Sequence, residues 1–329
     1  MKKHSSSGGI NERRRRALAR LIANNPAPDK RQQNVILKNK LDQARSILET
    51  AIETHSPKHI FGLFSGGHDS CTVTHFVASA LGDRMDGVVH INTGIGIPQT
   101  RQYVRETCQH YGWNLLEYKA TENTKADGTP DPMVYEDICM RYGFPGAFGH
   151  QMMYSRLKER QLNRLARDYQ VTPKQPMMLI SGCRREESTR RMGTVNEIDP
   201  QGRIVWVAPF ADMTAVDCGE YMESHDIKRN PVKDLLHMSG ECLCGAFAHK
   251  GELDEIELWF PEVAEHIKGI EQKVRKAGFP WGWEEPPPQW WSARKSAQKS
   301  GQQDAFEKEA EEEIEYLCMS CPSRLEEGE

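Results

Sequence analysis

The sequence predicts an α/β protein with a doubly wound, mostly parallel sheet and a smaller cysteine-containing C-terminal lobe. Short apolar runs alternate with stretches of helical period between residues 59 and 225. Alternation of that kind implies crossover units, with helices covering both faces of a parallel sheet. The pattern stops after about residue 230, where paired cysteines and a Trp/Pro-rich segment take over.

Residues 1–33 read as a mobile basic arm: a Ser/Gly-rich start, four arginines at 13–16 and the breaker NNPAPD. A solvated basic helix competes there with a nucleic-acid contact. Leu37, Leu41, Ala44, Ile47, Leu48 and Ile52 recur at helical spacing and lead into the first strand. Strands are expected at 59–64, 87–92, 114–120, 176–182 and 203–210. Helices are expected at 70–81, 98–111, 150–169 and 214–225, and the main domain over 34–235. Residues 236–329 then carry a CxC, a helical stretch at 253–277, the segment FPWGWEEPPPQWW, and an acidic helix ending in YLCMSCPSR. Trp281, Trp283, Trp290 and Trp291 suit either base stacking or the packing of one lobe on another.

The chain has 329 residues, 38% hydrophobic and 27% charged, enough for a full core. No run of 18 apolar residues occurs, and the N-terminus lacks an apolar signal core. A membrane span and a secreted disulfide scaffold are therefore not expected, and the cytoplasm is. The formal charge of −4 argues neither for nor against nucleic acid.

Residues 65–70, SGGHDS, begin where the first strand ends and finish where a helix begins. In open parallel sheets ligands bind beyond the carboxyl ends of the strands. Gly66 and Gly67 permit close backbone approach, and the amides of the turn and helix start converge on an anion, with Ser65 and Ser70 adding hydroxyls. The turn is neither a Walker loop, which requires lysine, nor GxGxxG. A turn capped by Asp69 or Ser70 without ligand is the plain alternative. Arg184, Arg185, Arg190 and Arg191 follow an apolar strand, and guanidinium forks suit phosphate or sulfate oxygens. Pairing with Glu186 and Glu187 is the competing use. Asp69 suits magnesium, and Thr93 and Gly94, ending the second strand, are expected near an adenosine.

SGGHDS after an apolar strand resembles the pyrophosphate-binding PP-loop of the adenine nucleotide alpha-hydrolase superfamily, written SGGxDS. HINTGIGIPQT (90–100) resembles the DTGxxFPET segment of phosphoadenosine phosphosulfate (PAPS) reductase-like proteins. SGCRREESTRR (181–191) resembles their GxRxxES..R segment, and residues 206–232 their PLxDWTxxDVW region. The resemblance covers roughly residues 55–245. It implies a nucleotide-binding alpha-hydrolase domain that splits ATP to AMP and pyrophosphate, with Ser65, Gly66, Gly67, His68, Asp69 and Ser70 on the phosphates. Lys158 aligns with the family's CCxxxK region and is expected to reach a phosphate; a surface lysine is the alternative.

Cys242 and Cys244 form a CxC, and Cys318 and Cys321 a CxxC. Four such thiolates suit an iron-sulfur cluster or zinc, which spacing does not separate, and a redox-active or unligated set is a third option. His237 and His249 flank the first pair as substitute ligands. Cys71, Cys108, Cys139, Cys183 and Cys218 read as buried and inert.

The chain departs from the sulfonucleotide reductases in three places. Met152 and Met153 stand where adenylylsulfate reductases carry adjacent cluster cysteines, the C-terminal ECGxH motif is missing, and the loop is intact. Those departures resemble the branch that performs DNA phosphorothioation and tRNA thiolation. It implies ATP, Mg2+, an iron-sulfur cluster, a nucleic-acid acceptor and a sulfur donor protein. Two alternatives stand: a reductase that makes sulfite, with Cys318 or Cys321 as nucleophile, and a non-catalytic nucleotide-sensing or nucleic-acid-binding component of a modification complex.

Overall fold

The computed structural model describes residues 30–124, 128–131, 134–187 and 195–288, with residue 148 described by its backbone only. The arginines at 13–16, together with Arg190, Arg191, Trp290, Trp291, Cys318 and Cys321, lie outside the described residues. The chain divides into two compact units, Met1–Asp42 and Gln43–Glu329, and helix α1 (Lys30–His55) contributes residues to both.

In the second unit a six-stranded sheet runs in the order β3-β2-β1-β4-β6-β5. The strands β1 (His59–Leu63), β2 (Gly87–Asn92), β3 (Leu115–Lys119), β4 (Met177–Ile180) and β6 (Ile204–Val207) are parallel. Each lies within a run expected from the sequence. The edge strand β5 (Ile198–Gln201) pairs antiparallel with β6. Its polar sequence IDPQ, with a proline that can only be accommodated at an edge, gave no apolar signal.

Helices cover the sheet as the alternation implies. After β1 comes α2 (His68–Leu81) and after β2 comes α3 (Pro98–Tyr111), which has proline in its first turn and a left-handed Gly112 at its end. Between β3 and β4 lie α4 (Tyr135–Tyr142), α5 (His150–Tyr154) and α6 (Arg160–Asp168). The expected helix at 150–169 is therefore interrupted, because Ser155–Glu159 forms a π-helical turn between α5 and α6. Helix α7 (Ala215–Ser224) starts from a capping box of Thr214 and Asp217. Then come α8 (Pro231–Leu236), α9 (Glu252–Trp259) and α10 (Pro261–Lys276). Pro261 splits the expected stretch at 253–277, since it cannot continue a helix from α9.

The apolar core continues across the boundary expected at residue 235. Ile97, Ile138, Phe144, Leu157, Leu236, Leu243, Ile256, Ile267, Trp281 and Trp283 are all buried in one cluster. The two tryptophans pack rather than face solvent: Trp281 Nε1 donates to the Phe144 carbonyl and Trp283 Nε1 to that of Leu243. Among the described residues no helix is long and apolar enough to cross a membrane.

Candidate functional site

Because the chain adds β2 and β3 on one side of β1 and returns to place β4 on the other, the topological switch lies between β1 and β4. The loops leaving those two strands open there. They wall a cavity of about 750 Å3, lined by Ser65, Gly67, His68, Asp69 and Ser70 after β1 and by Ser181, Gly182, Cys183 and Arg184 after β4. That volume lies within the usual range for small-molecule sites.

The first loop is held by contacts that its own sequence does not reveal. Gly66 has φ +80°, and a Cβ there would lie 2.6 Å from Thr100 Cγ2, so both backbone and space demand glycine. Asn230, fully buried, donates from Nδ2 to the Gly66 carbonyl at 2.7 Å while its Oδ1 accepts from Val232 N at the start of α8. Ser70 Oγ donates to the Gly67 carbonyl and sits 3.1 Å from Ser65 Oγ. Gly67 is the N-cap of α2 and supplies no side-chain cap. His68, Asp69 and Ser70 of the first turn line the cavity, at the positive end of the helix dipole. A Cβ at Gly182 would lie 2.8 Å from Ser70 N, so the second loop packs directly on this turn.

Arg184 is 6% exposed and grips Asp69, with Nε 3.0 Å from Oδ1 and Nη2 3.2 Å from Oδ2; Nη1 reaches Glu186. Burial opposes its charge, but the Asp69 hydrogen bond and charge outweigh that and raise its pKa. Arg185 turns elsewhere, donating to Asp212 and the Val195 carbonyl. His68 is driven toward the neutral form, chiefly by burial and then by Arg229. Lys158, on the π-turn, lines the cavity with His150, Tyr154 and Lys233. Thr93 is buried and committed to Glu241, its N donating to Oε1 and its Oγ1 to the backbone carbonyl. Gly94 is exposed, and neither residue lines the cavity.

Glu241 was not singled out by the sequence, yet it ties the CxC segment to the site. Its carboxylate lies 3.2 Å from His90 Nε2, and His90 Nδ1 donates to the Phe64 carbonyl beside Ser65. Gly96 accepts the close approach of this segment, since a Cβ there would lie 2.3 Å from the Glu241 carbonyl. Burial works against protonation of His90, but the Glu241 hydrogen bond and charge raise its pKa overall.

Cys242 is half-buried and Cys244 buried. A hydrogen bond from Cys244 overcomes burial and, with the charge of Lys158, lowers the Cys242 thiol to about 6; Cys244 is raised as the donor. Among the described residues no group of three or more His, Cys, Asp or Glu side chains is placed to hold a metal ion. Cys71, Cys108, Cys139 and Cys218 are buried as expected, whereas Cys183 is half-buried in the cavity wall.

Comparison with protein families matches residues 59–237, more than half of the chain, to the phosphoadenosine phosphosulfate reductase domain. The chain belongs to that family. Solved structures similar to it include the phosphoadenylyl-sulfate (PAPS) reductase of Candida auris in a phosphate complex. It is 15% identical, at TM-score 0.43 over 64% of this chain and 93% of that one. Another is the FMN adenylyltransferase of Candida glabrata in complex with FAD and inorganic pyrophosphate, 12% identical, at TM-score 0.44 over 64% and 65%. No curated protein matches the sequence. The matched span contains both the loop at residues 65–70 and Arg184.

Proposed function

We propose that this PAPS reductase-family protein binds ATP on its PP-loop, cleaves it to AMP and pyrophosphate, and so activates a nucleic-acid acceptor for sulfur insertion. The observation that carries the reading is the α2 N-terminus, without a side-chain cap, lining one cavity together with Arg184, which is paired to Asp69 of its first turn. Backbone amides and a guanidinium converging on one place suit the charge that builds on departing pyrophosphate. In the proposed step an acceptor oxygen attacks the α-phosphorus, the bond from that phosphorus to the α,β-bridging oxygen breaks, and pyrophosphate leaves. Arrival of the nucleotide brings phosphate oxygens to Arg184 in competition with Asp69, and Lys158 and Lys233 add positive charge at the wall. The carboxylate of Asp69 would hold the magnesium that accompanies ATP, which offsets phosphate charge.

The second part of the reading concerns sulfur. Cys242 and Cys244 would contribute two of the four thiolates of an iron-sulfur cluster, or of a zinc site, with Cys318 and Cys321. Such a cluster, when bound, would supply sulfur or electron chemistry. A sulfur donor protein and a cytoplasmic location complete the proposal, and the free cysteines suit a reducing compartment.

Substitution tests the site. Ser65→Ala, Asp69→Ala and Arg184→Ala are each expected to abolish formation of AMP from ATP, and undiminished turnover in all of them would sink the assignment. A second reading, sulfonucleotide reduction, is favoured by Cys183 in the cavity wall. There the thiolate attacks the sulfate sulfur, the sulfur–oxygen bond to phosphate breaks, and a second thiol releases sulfite from the resulting S-sulfocysteine. Sulfite formed from PAPS by the wild type and lost in Cys183→Ala would support it.

A further inference from the structure

The cavity does not end at the phosphate loop. It continues along the helical segment of α5 and the π-turn, where His150, Tyr154 and Lys158 line it, to Trp206 of β6 and Gln201 of β5. Such π-turns are rare and concentrate at functional sites. The three residues stand four apart, two aromatic rings on α5 and an ammonium on the π-turn, and all three line the cavity. Their row extends outward: the Tyr154 and His150 ring centroids are 6.4 Å apart, and His150 meets Phe247 at 4.7 Å. Phe247 itself does not line the cavity and is 45% exposed, one of the few large apolar side chains left in solvent.

Two further lining residues, Gln201 and Trp206, have unmet hydrogen bonding. Gln201 donates through Nε2 to Asp199, which leaves Oε1 without a partner, and Trp206 Nε1 has none either. A cavity lined by aromatic rings, with an unpartnered donor and acceptor among its lining residues, matches a planar heteroaromatic group with polar edges. Such a group stacks on the rings and brings its own donors and acceptors. ATP bound at the phosphate loop would not account for Phe247, which lies outside the cavity.

We propose that Tyr154, His150 and Phe247 form a stacking track that leads an unpaired base of a single-stranded nucleic acid toward the cavity. The inference rests on the reading of an acceptor-activating site and names the acceptor's presentation. Lys158 in the cavity wall and the exposed Lys250, three residues after Phe247 in the sequence, supply positive charge for the backbone.

The experiment measures fluorescence anisotropy of dye-labelled single-stranded oligonucleotides and the matching duplexes, using the full chain saturated with α,β-methylene ATP. Wild type is expected to bind the single strand in preference to the duplex. Phe247→Ala weakens that binding by about tenfold, the scale of one lost base–aromatic stack, and Phe247→Trp restores it. Free nucleosides do not compete at the concentration of strand that saturates. Phe247 is exposed, so its replacement leaves the fold intact, and acceptor-independent pyrophosphate release is equal in Phe247→Ala and wild type. Equal strand affinity in Phe247→Ala and wild type, equal affinity for the duplex, full competition by nucleosides, or no strand binding at all would each overturn the track. Loss of strand binding in Phe247→Ala, in a protein that releases no pyrophosphate under any condition, upholds the track and removes the ATP reading alone.

Discussion

Asn230 is the residue on which the loop's shape depends most, although it lies far from the loop in sequence. Asn230→Ala removes the donor to the Gly66 carbonyl and the cap on Val232 N together. Leaving a buried carbonyl unsatisfied costs about 1–3 kcal/mol. Loss of an Asn cap adds roughly 1 kcal/mol. The sum, about 2–4 kcal/mol, corresponds to a fall in Tm of roughly 4–16 °C in a domain of this size. Because the released carbonyl belongs to Gly66, within the loop proposed to hold the phosphates, affinity for ATP is expected to fall along with stability. Thermal unfolding with and without ATP reads both, and Asn230→Asp separates them. Aspartate keeps the acceptor for Val232 N but sets a carboxylate against the Gly66 carbonyl and near the phosphates, so nucleotide binding suffers more than the cap. A Tm within a degree of wild type for Asn230→Ala, with unchanged ATP affinity, would refute the reasoning.

Three further perturbations bear on the same site. Gly182→Ala places a Cβ 2.8 Å from Ser70 N, so it is expected to weaken ATP binding by isothermal titration at least as much as Ser70→Ala does. Arg184→Lys keeps the charge but cannot span both Asp69 oxygens or fork around a phosphate, so AMP formation is expected to fall by at least tenfold, with no rescue at higher ATP. The raised pKa of His90 makes stability depend on pH. The contribution of the protonated His90–Glu241 pair is fully present below about pH 6.5, the unfolded value, and is lost as pH rises through the higher folded value. Glu241→Gln is expected to flatten that dependence in urea melts across the range, and an unaltered slope would remove the pair from the account.

The strands and the glycine turn were legible because their signals are local: apolar runs a few residues long, and SGGHDS at a strand's end. The expectation of an anion site rests on the same few residues. What escaped was set by contacts across the chain. Asn230 and Gly66 are 164 positions apart, and Glu241 meets Thr93 across 148; no periodicity marks such pairs. Strand β5 escaped because an edge strand with proline and acid has no apolar face to show. The π-turn at Ser155–Glu159 escaped because its sequence SRLKE is ordinary helix-forming sequence. Trp281 and Trp283, open to either stacking or packing on the sequence, proved to be core, since each indole N–H finds a buried carbonyl. Arg185, grouped with Arg184 by sequence, is drawn off by Asp212, a partner that the motif gave no reason to weigh.

The central claim is that the loop at residues 65–70 holds the pyrophosphate end of ATP while the α-phosphate reacts. The most direct measurement incubates anaerobically purified protein with magnesium and ATP labelled at the γ-phosphate, then separates the products. The account predicts label in pyrophosphate and a matching amount of AMP, both absent in Asp69→Ala. Label in orthophosphate with ADP as the partner product would place the cleavage one phosphate further out and contradict it.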